Sequence, residues 1–436
     1  MPLTDMGIDE ARNYRPVVPE PDGFDSFWTE TLDEHADVPL DLTAAPFDNR
    51  QALIDTWDLS WAGYHGSRVS GWLHAPAGAN GPLPLVIEYL GYSGSRGVPI
   101  GSAFAAAGYA HIVVDPRGQG WGHPALTENS PDVHEGSGAP GFMTQSLSDP
   151  HGHYYRRLFT DAFRCLQTAR EMEIVDPTRI VVHGHSQGAG QTIAVCGLAA
   201  MRGIKLAGAF VDAPFLCHMR RSCDIATAGP YLEVVKYLAA HPSLCGKAFQ
   251  TLGYFDGLHF ARRARTATWF SVAMMDQLVP PSSVWAAYNA WGDGMVADKQ
   301  IAVYPFAGHS AGEDVQRWNQ LGVLALLLNL CSALDSDDEV AVDRRVDAVA
   351  ELTPRVVIEG SQASAGQDRH KILTGQTKGV PRHSQRTAVA QLASPHRNGL
   401  AQQVSGGATS RRPTVGSVHD AVRGVGDDGV EGLASP

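Results

Sequence analysis

In "VVHGHSQGAG" (Val181 to Gly190) two β-branched residues lead into a serine held between glycines. The valines favour an extended strand, and the residues from Gln187 onward read as a helix. A chain that passes from strand to helix so abruptly must turn sharply, and the residue at the apex takes a strained backbone conformation. A Cβ at Gly184 or Gly188 would collide across that turn. Gly184-His185-Ser186-Gln187-Gly188 therefore demands a strand before it, a helix after it, and Ser186 presented at the tip. Gly-Ser-Gly is also common loop material, so the rest of the chain has to supply the context.

That context is a repeated rhythm of strand, glycine turn and helix. Candidate strands are "LPLVIEYL", "AHIVVD", "RIVVHG", "LAGAFVDA", "TATWFSVAMM" and "KQIAVYP", with helical patterns such as "YRRLFTDAFRCLQTAREM" and "SVWAAYNAWG" between them. Such alternation predicts a mostly parallel sheet covered by helices on both faces. Ligands of these sheets bind beyond the carboxyl ends of the strands, where Ser186 falls. Upstream, Phe24, Phe27, Trp28 and Leu32 share a helical face, and residues 53–78 read as two strands joined through Gly63 to Gly66. Together these form an N-terminal extension. Residues 121–154 make a long loop rich in Gly, Pro and His, of a length that is usually functional. Leu216 to Phe260 is a mostly helical insertion placed to cap the site. The expected fold is α/β, of the α/β-hydrolase type, over residues 1–334. From Asp335 to Pro436 the chain is rich in Arg, Gln, Ser, Gly and Thr and nearly free of aromatics, the composition of a disordered tail.

A serine hydroxyl needs a base, and that base a carboxylate to orient it. In this fold the chain order is Ser, then Asp or Glu, then His. His309, in "IAVYPFAGHSAGED", follows a late strand and fits the base. Two aspartates compete for the third role. Asp276 ends the apolar "FSVAMMDQLVPP" in the strand before the one leading to His309. Asp212 ends "GAFVDAPF", where its alternative role is to cap the following turn. Position favours Asp276. For the oxyanion, the residue after the nucleophile supplies one backbone N–H, here Gln187, and the loop "GYSGSRG" supplies the other through Tyr92. "DPRGQGWG" (Asp115 to Gly122) lacks the pattern of a phosphate loop. Arg117 within it reads as a tie between loops rather than as chemistry.

Bulk properties narrow the partners. With 436 residues and a formal net charge of −12, the chain is a poor ligand for nucleic acid. Its six cysteines contain no C-x-x-C pair, which speaks against a thiolate zinc site and for reduced thiols in a cytoplasmic setting. The N-terminus lacks the basic start and apolar core of a signal peptide, and "LGVLALLLNLCSAL" is too short to span a bilayer. No membrane partner is expected.

Several stretches together resemble one family, the acetyl xylan esterases and cephalosporin-C deacetylases of carbohydrate esterase family 7. They are "GYSGSRG", "DPRGQG", "PGFMTQSLSDPHGHYYRRLFTDAFR", "GHSQGAG", "VDAPFLCHMRR", "TLGYFDGLHFARRA" and "MMDQLVPPSSVWAAYNA", in order between Met6 and Leu330. The resemblance implies Ser186 as nucleophile, Asp276 as acid, His309 as base, and Tyr92 and Gln187 as oxyanion donors. It implies a small acetylated substrate, no cofactor, and a hexamer whose sites face an internal cavity, with the loop near Gly141 serving assembly. The chain departs from the family in placing Ser310, not Glu, after His309, and in its tail. Two other readings remain: a peptidase or larger-acyl esterase on this scaffold, and a catalytically silent binding protein. The intact Ser-Asp-His order argues against the latter.

Overall fold

The computed structural model of the protein describes residues 5–127, 130–132, 140–296 and 298–334. The tail expected from Asp335 onward, and the middle of the loop between Trp121 and Tyr154, lie outside these residues.

The N-terminal extension supplies α1 (Ile8–Arg12), α2 (Phe24–Asp33) and strands β1 (Thr43–Phe47), β2 (Ile54–Ala62) and β3 (Arg68–Pro76). Then come β4 (Leu83–Tyr89), α3 (Ala103–Ala106), β5 (Ala110–Val114), α4 (Tyr154–Arg170), β6 (Val175–His185), α5 (Gln187–Met201) and β7 (Gly208–Asp212). The insertion provides α6 (Met219–Ile225), α7 (Tyr231–Ala240), α8 (Cys245–Gly253) and α9 (Gly257–Arg263). The chain closes with β8 (Thr268–Ala273), α10 (Pro281–Ala290), β9 (Lys299–Tyr304) and α11 (Glu313–Leu334). As expected, the Phe27, Trp28 and Leu32 face of α2 is buried. None of the described helices is long and apolar enough to cross a membrane.

Among the described residues the nine strands form one sheet in the order β1-β2-β3-β5-β4-β6-β7-β8-β9. The first three join antiparallel, and β3 meets β5 antiparallel. From β5 to β9 every pairing is parallel. Strand order reverses at β4, whose parallel neighbours are β5 on one side and β6 on the other. The loops leaving β4 and β6 therefore separate there, at the kind of crevice where such sheets bind ligands. The loop after β4 carries Tyr92 and the turn after β6 carries Ser186.

Period-two alternation divides each strand between two faces. On one face Val86, Val181 and Phe210 pack with Phe104 of α3 and Leu324 and Leu328 of α11. On the other, Leu85, Ile87, Val182, Ala209 and Val211 join the large core with α4, α5, α9 and α10. Two residues beyond the first row, on its face, stand Glu88, His183 and Asp212. An apolar row thus gives way to an ionisable one beneath the same helix.

Buried arginines anchor the extension and the loops. Arg164 of α4 donates to the carbonyls of Ala62 and His35. Arg117, fully buried, is held by both Asp161 oxygens (2.5 and 2.7 Å) and by Asp132 at 3.4 Å. That is the tie expected of Arg117: the turn after β5 is bound to α4. Cys165, Cys196, Cys217, Cys223 and Cys245 are free thiols, the first four buried.

Candidate active site

Ser186 sits at the β6–α5 junction with φ 58° and ψ −121°, a conformation non-glycine residues rarely hold. The surroundings hold it there. Its N–H donates to Asp212 O (2.9 Å), and its carbonyl accepts from Phe215 N (3.0 Å) and Gly190 N (3.1 Å). A Cβ on Gly184 would run into the Gly188 backbone, and one on Gly188 into the Tyr89 carbonyl. Both glycines are required by this close approach.

His309 lies on the loop between β9 and α11. Its Nε2 is 2.9 Å from Ser186 Oγ, and its Nδ1 is 2.7 Å from Asp276 Oδ2. Asp276 is buried after β8, and its Oδ1 accepts from Leu278 N (2.9 Å) and Val279 N (3.0 Å). With Nδ1–H donated to this fixed carboxylate, Nε2 presents a lone pair to the serine hydroxyl. Residues from three separate strand ends meet in the geometry of a nucleophile, a base and its orienting acid.

Asp212 lies elsewhere. It does not cap a turn; instead its oxygens accept from Ser271 Oγ (2.8 Å), Gln316 Nε2 (2.9 Å) and Gln320 Nε2 (2.6 Å). They also face His183 Nε2 at 3.2 Å. Strand alternation turns the side chain to the α11 face, so α11, not the turn, supplies its partners. Its link to Ser186 runs through its backbone carbonyl.

Tyr92 and Gln187 flank the serine. Neither of their backbone N–H groups has an acceptor among the described residues. The Tyr92 side chain packs edge-on against Trp121 and Phe142. Its hydroxyl donates to Glu233 Oε1 at 2.6 Å and accepts from Gly141 N (3.2 Å). Burial and then Glu233 push the phenol pKa up, so it stays protonated. Glu233, on α7, also accepts from Met143 N at 3.2 Å and latches the insertion to this loop. The Gln187 side chain is fully buried.

A cavity of about 420 Å³ opens on Ser186. Phe215, Pro230, Leu278 and Val279 form an apolar wall, whereas Ser93, Ser95 and His123 line it with polar groups. No group of His, Cys, Asp or Glu among the described residues is arranged to hold a metal ion.

Three contributors escaped the sequence reading. His185 donates from Nε2 to the His309 carbonyl at 2.7 Å and so fixes the loop of His309; its place inside the elbow was the available signal. Burial and then His309 lower its pKa, keeping it neutral. Glu233 carried no signal beyond membership of the insertion. Gln119 was visible only as part of "RGQ". Ser310, which stands where the resembling family has Glu, borders a second cavity of about 400 Å³, together with His183, Asp212, Arg317 and Gln320.

The sheet, its topology and the elbow make the protein an α/β-hydrolase. A family model described as acetyl xylan esterase (AXE1) matches residues 1–325, and the chain belongs to that family. An acetyl xylan esterase from a Paenibacillus species is 31% identical, with a TM-score of 0.67 over 73% of this chain and 99% of that one. Acetyl xylan esterase 1 from a Thermoanaerobacterium species is 27% identical, with a TM-score of 0.65 over 74% of this chain and 99% of that one. An acetyl esterase of Xylanibacter ruminicola is 22% identical over 304 residues, which make up 68% of this chain and 65% of that protein.

Proposed function

We propose that the protein is a serine esterase that removes acetyl groups from small acetylated carbohydrates and from cephalosporin-C-like acetates. The observation that carries this reading is the Ser186–His309–Asp276 chain of contacts at 2.9 and 2.7 Å, opening on a cavity with one apolar wall. Ser186 Oγ attacks the acetyl carbonyl while its proton passes to His309 Nε2. The oxyanion that forms takes hydrogen bonds from the N–H groups of Tyr92 and Gln187, both without other acceptors. His309 then protonates the departing sugar oxygen as its bond to the acetyl carbon breaks, releasing the sugar hydroxyl and leaving the acetyl group on Ser186. Water, deprotonated by His309, attacks this acetyl-enzyme, and release of acetate restores the hydroxyl. Asp276 keeps Nδ1 as the donor and stabilises the imidazolium at each transfer.

Membership of the family supports the acetyl preference, and the wall of Phe215, Pro230, Leu278 and Val279 supports a short acyl group. Each extra methylene that finds no space is worth roughly 1–3 kcal/mol of discrimination. The test is the ratio of kcat/KM for acetyl, butyryl and octanoyl esters, with labelling of Ser186 by a fluorophosphonate probe. Acetyl should exceed butyryl by at least tenfold, and Ser186→Ala should abolish labelling. Equal rates for acetyl and octanoyl esters would sink the short-acyl reading, and an unlabelled Ser186 the mechanism.

We also propose a hexameric assembly, on the family resemblance, and a cytoplasmic setting, which the four buried free thiols support. All the residues of this mechanism lie within residues 1–334, so a chain ending at Leu334 should retain the acetylesterase rate. Light scattering on the full chain tests the assembly; a monomer at micromolar concentration overturns it.

A further inference from the structure

We infer that Gln119 is a positioning residue that aims both backbone donors of the oxyanion site, an inference that rests on the esterase reading above. Gln119 lies in the turn after β5 and is only 4% exposed. Its Oε1 accepts from Ser93 N at 2.7 Å. Its Nε2 donates to Tyr154 Oη at 2.8 Å and to Gln187 Oε1 at 3.1 Å. One amide thereby joins the residue after Tyr92 to the side chain of the residue after Ser186. These are the two segments whose N–H groups receive the oxyanion.

Backbone groups at the ends of this chain fix its direction. Ser93 N–H can only donate, which assigns the Gln119 oxygen to it. The Arg117 carbonyl can only accept, and it takes the Tyr154 hydroxyl proton at 2.7 Å, leaving Tyr154 Oη to accept from Gln119. Gln187 must then present its oxygen to Gln119 Nε2, and that same oxygen accepts from Tyr155 Oη at 3.2 Å. No member can flip without setting two donors against each other.

The backbone at Ser93 shows why such a brace is needed. Ser93 has φ 68°, a left-handed conformation that persists only where neighbours impose it. Both of its polar backbone groups are held by the same turn: its N–H by Gln119, its carbonyl by Gly122 N at 2.9 Å. Arg117 binds that turn to α4, and Gln119 reaches from the anchored turn to the donors. Oxyanion donors act through pre-set aim, and a displacement of about 1 Å can cost on the order of 100-fold. The required outcome of losing the brace is thus a loss in the transition state, not in substrate binding.

The experiment uses the full chain with p-nitrophenyl acetate and phenylboronic acid, whose tetrahedral adduct on Ser186 places an oxygen in the same site. Gln119→Met keeps the volume and removes every hydrogen bond. It should lower kcat by roughly 10–100-fold with KM within about threefold, and raise the boronate Ki by the factor lost in kcat/KM. Gln119→Glu retains the acceptor for Ser93 N and should recover part of that loss. A merely structural glutamine would lower the melting temperature without moving Ki and kcat in proportion. Three results would overturn the inference: kcat of Gln119→Met within twofold of the parent, a loss taken up in KM, or an unchanged boronate Ki. Should Gln119→Met not accumulate, Gln119→Leu, which also removes every hydrogen bond, is judged by the same three. Fluorophosphonate labelling of the unaltered protein separates the two levels, because an unlabelled Ser186 would refute the esterase reading whatever Gln119 does.

Discussion

Two aspartate–histidine pairs stand on neighbouring strands, Asp276 with His309 and Asp212 with His183, and they differ in what the second ring nitrogen meets. His309 gives Nδ1 to Asp276 and turns Nε2 to the Ser186 hydroxyl. His183 has a carboxylate at each nitrogen, Glu88 at 3.3 Å and Asp212 at 3.2 Å. A ring between two carboxylates favours its charged form, with Nε2 in hydrogen-bonding geometry to Asp212 and Glu88 acting on Nδ1 through its charge. Burial and Arg317 oppose that charge, but Asp212 and Glu88 prevail and raise the His183 pKa. His111, with Glu88 at one nitrogen and the Ser102 hydroxyl at the other, is kept neutral, its pKa lowered chiefly by burial. An imidazole can shuttle protons only if one nitrogen is left a reacting partner; bracketed by acids, it favours its charged form and has no such partner.

The largest effect that would break this comparison is on turnover. Asp276→Asn should leave the fold intact but offer Nδ1 no fixed anion, so the ring loses its tautomer and the support for its charged form. The same change in the serine-protease triad costs about 10⁴ in kcat, and a loss of that order is expected here. Asp212→Asn should leave kcat, normalised to fluorophosphonate-labelled sites, within a few-fold of the parent. The opposite pattern would exchange the roles of the two acids.

Stability should reverse the ranking. Removing one partner of a buried charged set costs roughly 3–5 kcal/mol, since the remaining charge is left uncompensated. Asp212→Asn takes from His183 and Arg317 one of the buried charges that balance them and disturbs the side chains of Gln316 and Gln320, so urea unfolding should record a loss of that size. This exceeds the cost of losing a turn cap, about 1 kcal/mol. A loss below about 1 kcal/mol would mean that the cluster is far less coupled than its geometry implies.

The two pairs were unequally legible. Asp276 and His309 could be singled out because the proposed chemistry dictates a chain order and a position after a strand, and the structure brings both into contact in line with Ser186. Asp212 ends an apolar strand just as Asp276 does, and nothing local told its capping role from its observed one. The row of Glu88, His183 and Asp212 arises only when β4, β6 and β7 align, which local pattern does not encode. The parallel strands were visible as apolar runs, although β6 starts at Val175, ahead of the "RIVVHG" run. By contrast, β1 (Thr43–Phe47) was missed: it is a short edge strand, mostly exposed and carrying Pro46, so neither alternation nor composition marks it.

The titration of His183 also makes a smaller, pH-dependent difference. The His183 pKa is raised on folding, so its stabilising contribution is fully present below the unfolded value of about 6.5 and is lost as pH rises through the folded value. Asp212 works in the other direction. Burial alone would raise its pKa, but His183 and Ser271 lower it, so its contribution is present above about pH 3.9 and lost as pH falls through the folded value. The gap in melting temperature between the parent and His183→Gln should therefore be widest near pH 6 and narrow toward alkaline pH. A gap that widens with pH would show that His183 is buried neutral.

The smallest effect sharpens the comparison at the point where the two regions touch. His185 stands two residues beyond His183 on the same face of the strand, at its end, and there meets His309, with ring centroids 4.8 Å apart. Its Nε2–H is donated to a backbone carbonyl, not a carboxylate, and burial keeps the ring neutral, so it fixes a position without adding charge. Replacing it by Phe retains an aromatic ring and removes one neutral hydrogen bond, worth about 0.5–1.5 kcal/mol. Where that bond only steadies the His309 loop, kcat/KM should fall by no more than about tenfold, with its pH profile unshifted. His185→Gln, which can still donate to the carbonyl, should recover most of the loss. A drop near that of Asp276→Asn would instead make His185 part of the proton path, and a displaced pH profile would show that it sets the charge of His309.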